Sequence, residues 1–409
     1  MRALAKLGAV VCLLSVALAG SAGCSSGNDT ANACEEENVD KFKELVVVEE
    51  SVLTDARAKN ATSGAWSFRH VIENMAPEGT DASEFVATWL NSWRDVKSLN
   101  GVPTDRANEE RGQLLDEKLV CPWLKRTASN ACDENCGVCA ARKLDLRSAP
   151  FRLIAITNRL DLRDEVAGEE SGEGRLVYAL TAGPSDDPQS LALPMSVIFE
   201  YQLPESRSPQ EWAKTWHALG GFPSYDEPFL AALEAVTNSF VSRGSRATAK
   251  NGSAIAQVRT NESAFNWIWQ LREFAIADDG MLRIRLARNT PAEAFNDTPQ
   301  LAAWVTANES AIRARRFELP VSFRGPSVDQ LLYSWRLSTV KDSLRNEFAK
   351  QTCNGCHSLE NPSVDNVFHV SPFRTGTAKL SPFLYNPAGG PDELTARSAS
   401  LHRALCSGK

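Results

Sequence analysis

Residues Phe151–Arg163 read FRLIAITNRLDLR, and the fold follows from how that run is interpreted. β-Branched and aromatic residues are frequent, and alternate positions differ in character, as in a strand with one buried face. Ile154, Ile156, Leu160 and Leu162 fall on one side with Asn158 among them, and Thr157, Arg159, Asp161 and Arg163 on the other. Similar runs recur at Gly174–Ala182, Met195–Leu203, Trp267–Ala277 and Met281–Ala287. Turn-forming stretches separate them, among them Asp278-Asp279-Gly280, which reads as a hairpin turn. The first three runs have short connections, which predicts an antiparallel meander rather than a wound parallel sheet.

Helical periodicity brackets these strands. Phe85, Trp89, Leu90, Trp93 and Val96 repeat at three- and four-residue spacings within Phe85–Leu99. Pro209–Leu219 follows a Ser208 cap, and Glu227–Arg243 has its own apolar stripe. Further helices are expected at 298–316, at Val328–Gln351 and at Asp392–Leu405. The fold class is therefore α+β: an antiparallel sheet flanked by helices, followed by a small, mainly helical C-terminal domain. The expected divisions are a leader at 1–23, a tether at 24–40, the α+β domain at 41–320 and the C-terminal domain at 327–409.

Two parts of this scheme carry chemistry. Arg159, Asp161 and Arg163 put more charge on a strand end than a sheet normally displays. With Glu200, and with Glu173, Arg175, Glu262, Arg272 and Glu273 nearby, they form a candidate face for a polar ligand. Trp212, Trp216 and His217 are placed to border it. The alternative is an ion-pair ladder across the sheet.

The second is Cys353-Asn354-Gly355-Cys356-His357, the C-x-x-C-H attachment pattern of c-type haem. In that chemistry Cys353 and Cys356 form thioethers with one covalent haem c, and His357 is the proximal iron ligand. Common cytochromes supply a Met as sixth ligand, but the last Met here is Met281. His369 is the preferred distal ligand and His402 the alternative, with an open position or His217 also considered. Leu332, Trp335, Phe348, Phe368, Val370, Phe373, Leu380, Phe383 and Leu384 are the apolar residues available to wall a porphyrin. The competing interpretation is a Cys353–Cys356 disulfide beside an incidental histidine.

The N-terminus is consistent with export. Arg2 and Lys6 precede an apolar run from Leu7 to Ala19, and Ser21-Ala22-Gly23 precede Cys24. That is a secretory signal followed by a candidate lipidation site at Cys24. Removing 1–23 takes the net charge from −7 to −9. An acidic exported chain without a basic block is a poor nucleic-acid ligand, and any membrane contact is expected through the lipid anchor alone. The expected location is the cell envelope, at the outer membrane. The chain has ten cysteines. After Cys12, Cys24, Cys353 and Cys356 are set aside, Cys34, Cys121, Cys132, Cys136, Cys139 and Cys406 remain as disulfide candidates. Cys132, Cys136 and Cys139 also have the spacing of a zinc or iron–sulfur site.

The C-terminal segment resembles cytochrome c-like domains at the five-residue motif. The wider pattern is similar to a group of uncharacterised bacterial lipoproteins. It rests on Asn158-Arg159-Leu160-Asp161-Leu162-Arg163, Val197-Ile198-Phe199-Glu200-Tyr201, Arg259-Thr260-Asn261-Glu262 and Thr352-Cys353-Asn354-Gly355-Cys356-His357, in that order across roughly residues 150–385. This resemblance implies no activity. No G-x-S-x-G, H-E-x-x-H or phosphate loop occurs, so no reaction class is indicated. The expectation is a lipid-anchored haem protein working with a redox partner protein as an electron carrier. A redox enzyme and a non-haem lipoprotein that binds a polar ligand are the alternatives.

Overall fold

The computed structural model of the protein describes residues 38–104, 113–127, 132–134, 136–139, 143–163, 171–265, 269–329, 335–357, 367–374 and 376–406. The leader, most of the tether, Cys24, Cys34 and Leu332 lie outside them. These described residues fall in one compact unit. The fold is α+β, with an eight-stranded antiparallel sheet at its centre.

The strands are β1 (Val46–Val47), β2 (Phe151–Arg159), β3 (Glu173–Thr181), β4 (Ala192–Gln202), β5 (Ile255–Glu262), β6 (Gln270–Ile276), β7 (Leu282–Arg285) and β8 (Ser327–Asp329). They line up as β1-β2-β3-β4-β5-β6, so the expected meander is present. The outer edge of β6 is shared: β7 pairs with Glu273–Ile276 and β8 with Gln270–Arg272.

Period-two alternation gives the sheet two unlike faces. On the first, Leu176, Tyr178, Val197, Phe199, Val258 and Phe274 are all buried. Helices α1 (Phe68–Met75), α2 (Ala82–Asp95), α3 (Pro209–His217) and α4 (Glu227–Val241) contribute to the same core. Helix α2 begins at an Asp81 cap and buries Phe85, Val86, Trp89, Leu90 and Trp93. Trp89 meets Phe274 edge-on at 5.7 Å, and Trp93 stacks on it at 5.2 Å. On α4, Phe240 reaches the sheet at Gly174, where an added Cβ would lie 2.5 Å from the ring. That glycine is what lets helix and strand close on one another.

Three expected elements differ. β2 ends at Arg159, and Leu160–Leu162 is a 3-10 turn, so Arg159, Asp161 and Arg163 are not three positions of one strand face. A bulge between Leu153 and Ala155 also interrupts the alternation. The long helix expected at Val328–Gln351 is a strand at Ser327–Asp329 and a helix, α6, only at Asp342–Ala349. Pairing with β6 overrides the helical periodicity there. The helix expected at 298–316 is divided into α5 (Pro299–Ala307) and a short turn, Glu309–Arg313.

The expected boundary at 320–327 does not separate two cores. Leu301, Val305, Ile312, Phe317 and Leu319 pack with Trp335, Leu337, Leu344 and Phe348 in one cluster. Leu394, Leu401, Ala404 and Leu405 of the last helix, α8 (Glu393–Cys406), join the main core.

Candidate functional site

The second sheet face is charged. By register, Arg159 lies opposite Glu173, Arg175 opposite Glu200, Arg259 opposite Glu273, and Glu273 opposite Arg285. These pairs form a ladder of alternating sign. Arg175 lies 2.5 Å from Glu173 and 3.1 Å from Glu200. Arg259 lies 3.1 Å from Glu200 and 3.0 Å from Glu273, and Arg285 lies 3.2 Å from Glu273. Arg159 grips Asp161 with two nitrogens, the closer contacts being 2.9 Å. Gln257 donates to Glu200 and accepts from Arg285. Glu200 and Glu273 are fully buried. Burial works against ionisation of Glu200, but the Arg175 and Arg259 charges hold its pKa below the usual range. Burial likewise opposes ionisation of Asp161, and Arg159 reverses the balance.

Not every expected member joins this ladder. Glu262 and Arg272 pair with each other at 2.6 Å, fully buried. They share parity with Val258 and Phe274 and so lie on the opposite face. Trp212 and Trp216 pack towards Phe240 in the helix-covered core. His217 Nδ1 is 2.8 Å from Glu44, a buried carboxyl whose pKa burial raises. Arg163 donates to Ser400 on α8 at 2.7 Å.

The Cys353–His357 segment lies against the same ladder. Cys353–Cys356 is one helical turn, α7, capped by the Thr352 side chain. Gly355 is forced by its surroundings, since a Cβ there would lie 2.0 Å from the Ala349 carbonyl oxygen. Cys353 packs against the cluster that contains Trp269, Leu271 of β6 and Val328 of β8. Its thiol pKa is raised by burial, with Arg259 opposing and Glu273 and Glu200 adding to the rise. Burial pushes the Cys356 thiol up to about 12.

Two histidines meet here. The His357 ring stacks on Trp269 at 4.6 Å and lies 4.4 Å from the His369 ring. His357 Nδ1 is 2.6 Å from the Val367 carbonyl oxygen, so Nδ1 carries the proton and donates. His369 Nδ1 is 3.0 Å from Ser381 Oγ, and its Nε2 is 3.3 Å from Cys356 Sγ. Burial lowers the His357 pKa to about 4 and holds His369 well below the usual value. Both rings are neutral at pH 7, the state in which imidazole ligates a metal. His402 lies elsewhere, with Nε2 3.7 Å from Cys406 Sγ.

The expected apolar wall is dispersed. Trp335 and Phe348 belong to the cluster built on residues 301–349, Phe368 sits with Trp269, and Phe373 is exposed. Phe383 faces His369 at 4.8 Å. Trp269, Val367 and Ser381 were not anticipated. Each reaches the site through chain topology rather than through a local pattern.

Cys121 bonds Cys136 and Cys132 bonds Cys139, which makes the loop a disulfide knot. The sulfurs of Cys132, Cys136 and Cys139 lie within 4.8 Å of one another, the compactness that the zinc interpretation required. Cys406 is also disulfide-bonded. Among the described residues no helix is long and apolar enough to cross a membrane. No family model, curated protein or solved structure matches the chain.

Proposed function

We propose that the protein is an exported, lipid-anchored c-type haem protein that exchanges single electrons with a partner protein. One observation carries this reading. Cys121, Cys132, Cys136, Cys139 and Cys406 are all in disulfides, whereas Cys353 and Cys356 remain thiols one helical turn apart beside His357. The donor set fits a covalent haem: Cys353 and Cys356 would hold it, His357 would ligate through Nε2, and His369 is the second imidazole at hand. When bound, the haem supplies a one-electron couple. The chain's own residues fix the His357 tautomer through the Val367 carbonyl, hold the His369 ring through Ser381, and set the surrounding charge through the ladder.

The raised thiol pKa values argue against a dithiol oxidoreductase, which needs an accessible thiolate near neutral pH. The ladder's mutual pairing also weakens the polar-ligand alternative, because its carboxylates already have guanidinium partners. Anchoring at Cys24, an outer-membrane location and lack of affinity for nucleic acid belong to the same proposal.

The test is expression in a cell that matures c-type haem, followed by absorbance after denaturation. A visible band that survives denaturation is expected. With two imidazole ligands, the reduced protein should not bind carbon monoxide, and His369→Ala should open that position. An unchanged carbon monoxide response in His369→Ala would reject His369 as ligand. A colourless protein with Cys353 bonded to Cys356 would reject the haem.

A further inference from the structure

The two disulfides of the cysteine-rich loop differ in access. Cys121 and Cys136 are 7% and 4% exposed. Cys132 and Cys139 are half-buried, among the exposed residues Asp133, Glu134, Gly137 and Val138. Cys121 begins the short helix Cys121–Arg126, which buries Trp123 and Leu124 in the main core. One bond therefore ties the loop to the core, and the other closes the loop at the surface. A thiol arriving from solvent meets the Cys132–Cys139 bond first, and exposed disulfides are the ones that exchange.

The four sulfurs are not two isolated pairs. Cys136 Sγ lies within 4.8 Å of both sulfurs of the outer bond. Cys139 Sγ also lies 3.9 Å from the Cys136 carbonyl oxygen. Cys136-Gly137-Val138-Cys139 has the C-x-x-C spacing at which two cysteines readily bond one another. Cys136 has a φ of 54°, in the left-handed region that side-chain-bearing residues seldom adopt. The surrounding structure, rather than local preference, holds its sulfur between two possible partners. A metal at these sulfurs needs thiolates, so both bonds would have to open before one bound.

We propose that this loop is a thiol–disulfide exchange site, which accepts electrons from an external dithiol at Cys132–Cys139 and passes them inward to Cys121–Cys136. It is independent of the haem reading. The dithiol attacks Cys132 Sγ, and Cys139, the sulfur lying against Cys136, leaves as a thiolate. The dithiol's second sulfur then displaces Cys132, which takes a proton, and the dithiol departs as a disulfide. The Cys139 thiolate attacks Cys136 Sγ. The Cys136–Cys139 bond forms, the Cys121–Cys136 bond breaks, and Cys121 leaves as a thiolate and is protonated. The dithiol's two electrons and two protons end on Cys132 and Cys121, and the loop is unhooked from the helix. The internal attack is favoured over attack by any solute thiol because nucleophile and target are already held together.

The experiment treats the full-length oxidised protein with dithiothreitol at about pH 8, where thiolate is plentiful. Samples are quenched in acid over time, labelled with N-ethylmaleimide and mapped by peptide mass. With one equivalent of dithiothreitol, wild type should label at Cys121 and Cys132 and carry a Cys136–Cys139 bond. Cys132→Ser with Cys139→Ser keeps the inner bond but removes the entry point, and its Cys121 should label at least about tenfold more slowly than in wild type. Cys132→Ser alone needs no reductant: its one unpaired thiol should divide between Cys139 and Cys121. That variant carries the test if the double variant fails to fold. Equal rates of Cys121 labelling in wild type and the double variant would overturn the inference. So would a Cys132→Ser chain labelled at Cys139 alone, with Cys121–Cys136 intact. Haem content enters neither readout, so this inference and the haem reading fail separately.

Discussion

The two faces of the sheet are built on opposite principles, the first fully buried and the second with partly exposed arginines over buried carboxylates. Around Phe274 and Phe199 the first face is a lattice of aromatic rings, including Phe68, Trp89 and Trp93. The second runs Glu173, Arg175, Glu200, Arg259, Glu273, Arg285. Apart from its single buried Glu262–Arg272 pair, the first is held by area removed from water and by packing, neither of which depends on pH. The second trades desolvation against Coulomb attraction and breaks even only while every partner is present. Stability is thus concentrated on one side, and electrostatic tuning of whatever sits beside Cys353 on the other.

That contrast can be tested in order of effect. Trp89→Ala removes a fully buried ring from the first face and should cost about 4 kcal/mol by denaturant unfolding, at pH 5 and pH 7 alike. Glu200→Gln should cost about 3 kcal/mol, because Arg175 and Arg259 lose a shared buried partner. If Glu200→Gln is neutral, the ladder does not depend on every partner being present.

Acid should affect the second face first. Asp161 and Glu200 have folded-state pKa values below their unfolded ones. Their contribution is complete above the ordinary carboxylate range, near pH 4, and is lost as pH falls through the folded values. The fall in stability below about pH 4 should be shallower in Glu200→Gln than in wild type. Equal slopes would remove Glu200 from the account. The smallest effect, at most about 0.5 kcal/mol, is expected for Arg283→Ala, whose pair with Asp279 is on the surface.

The same contrast explains what could be read from sequence. Strands β2, β3 and β4 were legible because β-branched runs and short connections express themselves locally. Parity would also have separated Glu262 and Arg272 from Arg259 and Glu273, had the register been known. The bulge at Leu153–Ala155 and the brief strand at Ser327–Asp329 were hidden, since both depend on a partner strand. The approach of Cys353–His357 to the ladder was hidden as well. Arg259 and Cys353 are distant in sequence, and each reads plausibly alone, one as a surface ion pair and the other as a self-contained motif.

The most direct measurement is the iron content and intact mass of the chain, purified after export from a cell that attaches c-type haem. The account predicts one iron per chain and a covalent haem mass lost on Cys353→Ala with Cys356→Ala. An iron-free chain that carries no haem mass and has Cys353 bonded to Cys356 would contradict it.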